Sequence, residues 1–104
     1  LNNKTDYYKH SIFSNEIFEI ILIKWDKGVK TSLHLHPNNG CILKVLEGKI
    51  VEDKYFDKEK YKSSILEKNE MGFMHDILGA HQIQALEDSY SIHLYSPPNF
   101  YKKN

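Results

Sequence analysis

The stretch from Gly40 to Phe56, GCILKVLEGKIVEDKYF, decides the fold. Its first part, Gly40 to Leu46, is an apolar run of residues that pack well on a pleated surface. Glu47-Gly48-Lys49 interrupts the run. Ile50 to Phe56 then alternates roughly between apolar and polar, the period of a half-buried strand. Two such runs with a glycine between them predict a hairpin turning near Gly48. The same signal recurs on either side. Glu16 to Trp25 (EIFEIILIKW) is dense in Ile and Phe, as a buried strand is. Downstream come Ser63 to Leu66, Gly72 to Met74, His81 to Leu86 and Tyr90 to Tyr95. Pro97-Pro98 ends the last, because proline cannot donate to a ladder. No stretch of helical length keeps a 3.6-residue apolar period. Seven or eight short strands at close spacing predict an all-β antiparallel barrel or jelly roll. Such a fold can hold a small ligand or a metal between its sheets.

Composition narrows the function. The chain has 104 residues, enough for one domain. It starts at Leu1, so a fragment or trimmed chain is expected. The 14 basic and 14 acidic side chains cancel. That balance argues against a nucleic-acid partner and against an acidic interaction tail. Apolar residues make up 40 % and aromatics 12 %, sufficient for a small core. No run approaches the ~18 apolar residues of a membrane span, and the longest, Ile17 to Ile23, contains Glu19. One cysteine excludes an internal disulfide, and LNNKTDYYKH at the start shows no signal peptide, so a cytoplasmic protein is expected. Two locally charged patches, Glu52 to Lys62 and Lys102-Lys103, read as a solvated loop and a loose end.

The chemistry concentrates around Gly28-Val29-Lys30-Thr31-Ser32-Leu33-His34-Leu35-His36. His34 and His36 are two residues apart, and on a strand such residues face the same side. Two convergent imidazoles suit Fe, Zn, Cu or Ni. Pro37-Asn38-Asn39-Gly40 is a turn directly after the pair, and Cys41 opens the next strand. Near the other end, Ser91, His93 and Tyr95 alternate, so one strand face presents hydroxyl, imidazole and phenol in line. Those groups can relay a hydrogen bond and fix the imidazole tautomer. On a solvent-facing strand they would be only a polar stripe. His10 reads as a solvated histidine. His75 and Asp76 are neighbours that would face opposite sides of a strand, so the two cannot share a metal.

Gly28, six before the His-x-His pair, and Gly48, seven after Cys41, resemble the first motif of the cupin family. Most cupins have a Glu ligand where this chain has Cys41. A later cupin motif brings one more histidine, for which His81 in Leu78-Gly79-Ala80-His81 is the candidate. Within the cupins the chain resembles the cysteine dioxygenases, or thiol dioxygenases, from about Tyr7 to Pro98. The matching pieces are His34-x-His36-Pro37 with Cys41, Lys44-Val45-Leu46-Glu47-Gly48, and Leu78-Gly79-x-His81. The most specific is Ser91-Ile92-His93-Leu94-Tyr95-Ser96-Pro97-Pro98.

The resemblance implies a short cupin-type antiparallel β-barrel or jelly roll over residues 1–104. Against that family the chain is short, which implies a single domain minimal or trimmed at both ends. It implies a mononuclear Fe(II) centre held by His34, His36 and His81. Tyr95 looks like the active-site tyrosine, with Ser91 and His93 as the partners that orient it. In some members that tyrosine is joined by a thioether to a cysteine at the position of Cys41, so a Cys41–Tyr95 crosslink is open to this chain. The implied reaction oxidises the thiol of cysteine or a related small thiol with O2 to a sulfinic acid. A monomer is expected. Members acting on free cysteine hold its carboxylate with an Arg in a Y-x-R segment. Here that segment is Tyr7-Tyr8-Lys9, and the chain contains no arginine. Lys9 could still pair with a carboxylate, but as a point charge without the bidentate fork. The substrate therefore stays open between cysteine, 3-mercaptopropionate and another small thiol. The alternative is a non-catalytic cupin that binds a metal or small ligand. A sugar isomerase is disfavoured by Cys41 in place of the Glu ligand.

Overall fold

Period-2 burial builds the molecule. A computed structural model describes residues 7–31, 40–74 and 79–98. Among them are eight strands and no helix: β1 (Tyr8–Ser14), β2 (Glu19–Trp25), β3 (Cys41–Glu47), β4 (Lys49–Phe56), β5 (Glu59–Glu67), β6 (Met71–Met74), β7 (Ala80–Ala85) and β8 (Ser89–Tyr95). One sheet has the order β1-β2-β8-β3-β6 and the other β5-β4-β7. Every pairing between strands is antiparallel. The expected all-β jelly roll is what forms. Its two sheets remain separate layers packed face to face rather than closing into one hydrogen-bonded barrel.

Alternation along β2 and β8 sends Ile21, Ile23 and Trp25, and Ser89, Ser91, His93 and Tyr95, to the inner face. Cys41, Leu43 and Val45 of β3 join them. Ile50, Leu66, Ile83 and Ala85 complete the same core from the second sheet. At the edge of the second sheet, residues 28–31 run beside β7: Thr31 N–H donates to Ile83 O at 2.9 Å and Ala85 N–H to Val29 O at 2.9 Å.

The predicted turn lies at Gly48, at φ +91°, but the predicted hairpin is corrected: β3 and β4 do not pair and belong to different sheets, so Gly48 carries the chain from one layer to the other. A side chain there would run into the backbone of Asp88 and Ser89, so glycine is required on both counts. The run from Glu52 to Lys62 is a correction. It is not a loop but the β4–β5 hairpin, turning at Asp57-Lys58, both at positive φ. Its outer residues are solvated, as charge would suggest, but Glu52 is buried at 1 % exposure. Strand β1 was not foreseen. All its residues are exposed, so it lacks the alternation that marks a strand. It exists by pairing with the edge of β2. Lys102-Lys103, His34, His36, His75 and Asp76 lie outside the described residues.

Leu43 sits at the centre of this core and Ile65 on an outward face, 58 % exposed. Leu43→Ala is expected to cost about 2–5 kcal/mol, lowering Tm by about 8 °C or more for a domain of this size. Ile65→Ala should change stability by about 0.5 kcal/mol or less. Urea and thermal denaturation of the two variants check this, and comparable losses would contradict the placement of the core.

Candidate active site

Strand β8 lies in the middle of its sheet, and its inner face carries Ser91, His93 and Tyr95 side by side. All three are buried, so the stripe does not face solvent. Trp25 Nε1–H donates to Ser91 Oγ at 2.8 Å, and Ser91 Oγ lies 2.7 Å from His93 Nε2. A hydroxyl that accepts from the indole can pass its own hydrogen on to the imidazole. The His93 ring stands 6.1 Å from the Tyr95 ring and 6.5 Å from that of Trp25, centroid to centroid.

Cys41 faces Tyr95 directly across the β3–β8 ladder. Its thiol, 2 % exposed, is hydrogen-bonded to the Tyr95 side chain. Burial pushes the thiol well above its usual 9.0, and the nearby Glu52 charge adds to the rise. The Tyr95 hydrogen bond opposes it only in part. Cys41 is therefore a thiol at neutral pH.

From the opposite sheet, β7 contributes His81, 2 % exposed, with Nδ1 at 2.7 Å from Glu52 Oε2. From β1 and the residue before it come Lys9 and Tyr7. The Tyr7 ring packs on Trp25 at 4.8 Å between centroids. The Lys9 amine lies 5.3 Å over the Tyr7 ring. Lys9 keeps solvent exposure, yet partial desolvation lowers its amine below the usual 10.5. Tyr7, Lys9, Trp25, His81, His93 and Tyr95 share one cavity of about 20 Å³, room for roughly one water molecule.

The structure thus brings together Tyr7, Lys9, Cys41, His81, Ser91, His93 and Tyr95. His34 and His36 lie outside the described residues. The last described residue before them that is in contact with the site is Thr31, bonded to Ile83 on the strand that carries His81. Among the described residues no group of three His, Cys, Asp or Glu side chains is placed to hold a metal. His81 by itself fits one: a buried imidazole whose Nδ1 meets a carboxylate is the arrangement usual for a metal-ligating histidine. His10 is exposed on β1, as expected of a solvated residue.

Three residues escaped the sequence reading. Trp25 reads only as the end of an apolar strand, and Thr31 only as one residue of the segment leading to the His-x-His pair. Glu52 was hidden in a charged run, although its spacing two residues from Ile50 already put it on the inner face.

The family model for cysteine dioxygenase type I matches residues 3–103. Human cysteine dioxygenase type 1 is 33 % identical over 94 residues, covering 81 % of this chain and 47 % of that protein. The zebrafish (Danio rerio) protein of the same name is 32 % identical over 95 residues with the same coverage. The chain thus spans about half the length of the relatives it matches. Among solved structures, an RmlC-like cupin from Shewanella frigidimarina superposes with a TM-score of 0.80 at 17 % identity, covering 97 % of this chain and 85 % of that one. KdgF from Halomonas gives 0.76 at 20 % identity, covering 98 % and 88 %. These two establish likeness of fold. No helix among the described residues is long and apolar enough to cross a membrane.

The raised Cys41 thiol has a stability consequence. Below pH 9 both folded and unfolded states hold the thiol proton. Above it the unfolded chain releases the proton and the folded one does not, so stability falls as pH rises. Relative to Cys41→Ala, the wild type is expected to lose up to about 1.4 kcal/mol per pH unit above that point. Urea titrations from pH 7 to 10.5 measure this, and parallel profiles for the two proteins would contradict the buried thiol.

Proposed function

The chain belongs to the cysteine dioxygenase type I family, and from that premise we propose that it is an Fe(II)-dependent thiol dioxygenase. It would oxidise the thiol of cysteine or a related small thiol with O2 to the sulfinic acid. Both oxygen atoms go to sulfur, so no further reductant is needed. The supporting observation is convergence on one cavity of an amine (Lys9), two buried imidazoles (His81, His93) and a phenol (Tyr95) from three separate strands.

In this reading His34, His36 and His81 hold the iron. When bound, the metal acts as a Lewis acid that lowers the pKa of the substrate thiol and brings sulfur and dioxygen together. The remaining roles belong to side chains of the chain. Lys9 attracts a substrate carboxylate to the cavity mouth, with the Tyr7 ring beneath its amine. Tyr95 offers its hydroxyl to the substrate. Ser91, itself held by Trp25, sets the His93 ring, and the packed His93 ring limits where Tyr95 can go. Trp25 and Ile23 exclude bulk water from that side. Cys41 and Tyr95 are cross-strand partners within hydrogen-bond reach. A thioether would join the sulfur to the ring and release two hydrogens, whose electrons O2 accepts.

Oxygen consumption by iron-loaded protein tests the activity. Cysteine or 3-mercaptopropionate should stimulate uptake and yield a sulfinic acid by mass spectrometry, and His81→Ala should lose both iron and uptake. Lys9→Ala should raise KM for these carboxylate-bearing thiols about tenfold or more, the worth of a hydrogen bond to a charged group. It should leave cysteamine, which has no carboxylate, unaffected. Thiol binding without oxygen uptake would instead favour a non-catalytic binding cupin, a reading that Lys9 in the arginine position supports. For the crosslink, intact mass should fall by two hydrogens after turnover in the wild type and not in Cys41→Ser. An unchanged wild-type mass would remove it.

A further inference from the structure

Glu52 is the least expected side chain in the core. It sits in a segment of charged residues, yet it is 1 % exposed. Burying a carboxylate is costly unless it is paired, and a pair of this kind is rarely worth more than well-packed hydrophobic residues of the same volume. Ile50, two residues earlier on the same face, shows that an aliphatic side chain fits this layer. Packing therefore does not account for Glu52.

Its two oxygens are both accommodated, in different sheets. Oε2 lies 2.7 Å from His81 Nδ1. The pairing of β4 with β7 sets Glu52 opposite Ile83 and Lys54 opposite His81, so Glu52 meets His81 on the diagonal of one sheet face. Oε1 points across the interlayer space to Gly72 on β6, in the facing sheet. A Cβ at that position would come 2.7 Å from Oε1. Gly72 has no positive φ that would otherwise require glycine. What the missing Cβ provides is room for the carboxylate.

We propose that Glu52 is a positioning residue for the metal centre. It holds the proton of His81 on Nδ1, and so presents Nε2 as the ligand atom, with Gly72 leaving the space the carboxylate needs. The inference rests on the reading of His81 as a metal ligand and extends it to a residue that does not touch the metal. An imidazole with its proton on Nδ1 carries its lone pair on Nε2, and a carboxylate partner makes that lone pair more basic. Three neutral imidazoles bring no negative charge to a dication. Glu52 supplies one a single hydrogen bond further out. The same charge bears on Cys41, so one carboxylate acts on both the ligand and the thiol beside Tyr95.

A merely structural ion pair would affect folding but not tautomer or metal affinity, which separates the two roles. In metal-free wild-type protein labelled with 15N-histidine, long-range proton–nitrogen NMR correlations should show His81 protonated at Nδ1 and unprotonated at Nε2. Glu52→Gln keeps an acceptor of nearly the same shape, but its amide can also donate, so both tautomers should appear. Anaerobic Fe(II) titration against a competing chelator should then give affinity about 10–100-fold weaker than wild type. Gly72→Ala, which displaces Oε1, should shift affinity in the same direction. A wild-type His81 protonated at Nε2 would overturn the proposal even if Glu52→Gln fails to fold. So would folded Glu52→Gln with wild-type affinity, leaving the iron reading intact. Wild-type protein that binds no Fe(II) would overturn both together.

Discussion

Strand β8 is hydrogen-bonded on both sides, to β2 and to β3, and that double pairing commits Ser91, His93 and Tyr95 to the interior. An edge strand could turn or slip to free such polar side chains. A central strand cannot, because a one-residue slip would bury Ile92 and Leu94's side of the strand and break two ladders at once. The polar groups must then be satisfied where they are. Trp25 on one side meets Ser91, Ser91 meets His93, and Cys41 on the other side meets Tyr95. The surrounding aliphatic residues, Ile21, Ile23, Leu43 and Val45, give this polar row a low-dielectric setting. Hydrogen bonds are stronger there, and unpaired polar groups more costly.

The facing sheet has a different task. It sets a second polar pair, Glu52 and His81, against the first row, at an interlayer distance fixed by Ile50, Leu66, Ile83 and Ala85. The cavity between them is also lined by Lys9 of β1 and by Tyr7 just before it. Chemistry is thereby split among strands at different positions in the sheets. The central strands hold imidazole, hydroxyl and phenol, and an exposed edge strand holds the group that would meet a substrate's charge. An edge strand is where such a residue can vary without disturbing the core.

Much of this was legible in the chain. The turn at Gly48, the strand ending before Pro97, and the shared face of Ser91, His93 and Tyr95 all depend on neighbours within a few residues, whereas the crossing from one sheet to the other at Gly48, in place of a hairpin, depends on distant pairing partners. Glu52 was not legible in the same way. By local sequence it resembles Glu59 and Glu67, which are exposed on β5. What differs is that β4 lies between β5 and β7, with the other sheet across its inner face. The significance of Gly72 was equally hidden, since the atom that needs its space comes from twenty residues upstream in another sheet. Strand β1 was missed because its pairing, not its pattern, makes it a strand.

By itself, then, the sequence determined an all-β fold, its main strand positions, and the residue types gathered for chemistry, because backbone periodicity and turn residues act locally. Only the tertiary structure decided that the β8 stripe faces inward, that Cys41 opposes Tyr95, that Lys9 reaches the cavity, and that one acidic residue in a charged run belongs beside His81. Burial depends on what lies across from a residue, and strands far apart in the chain supply it.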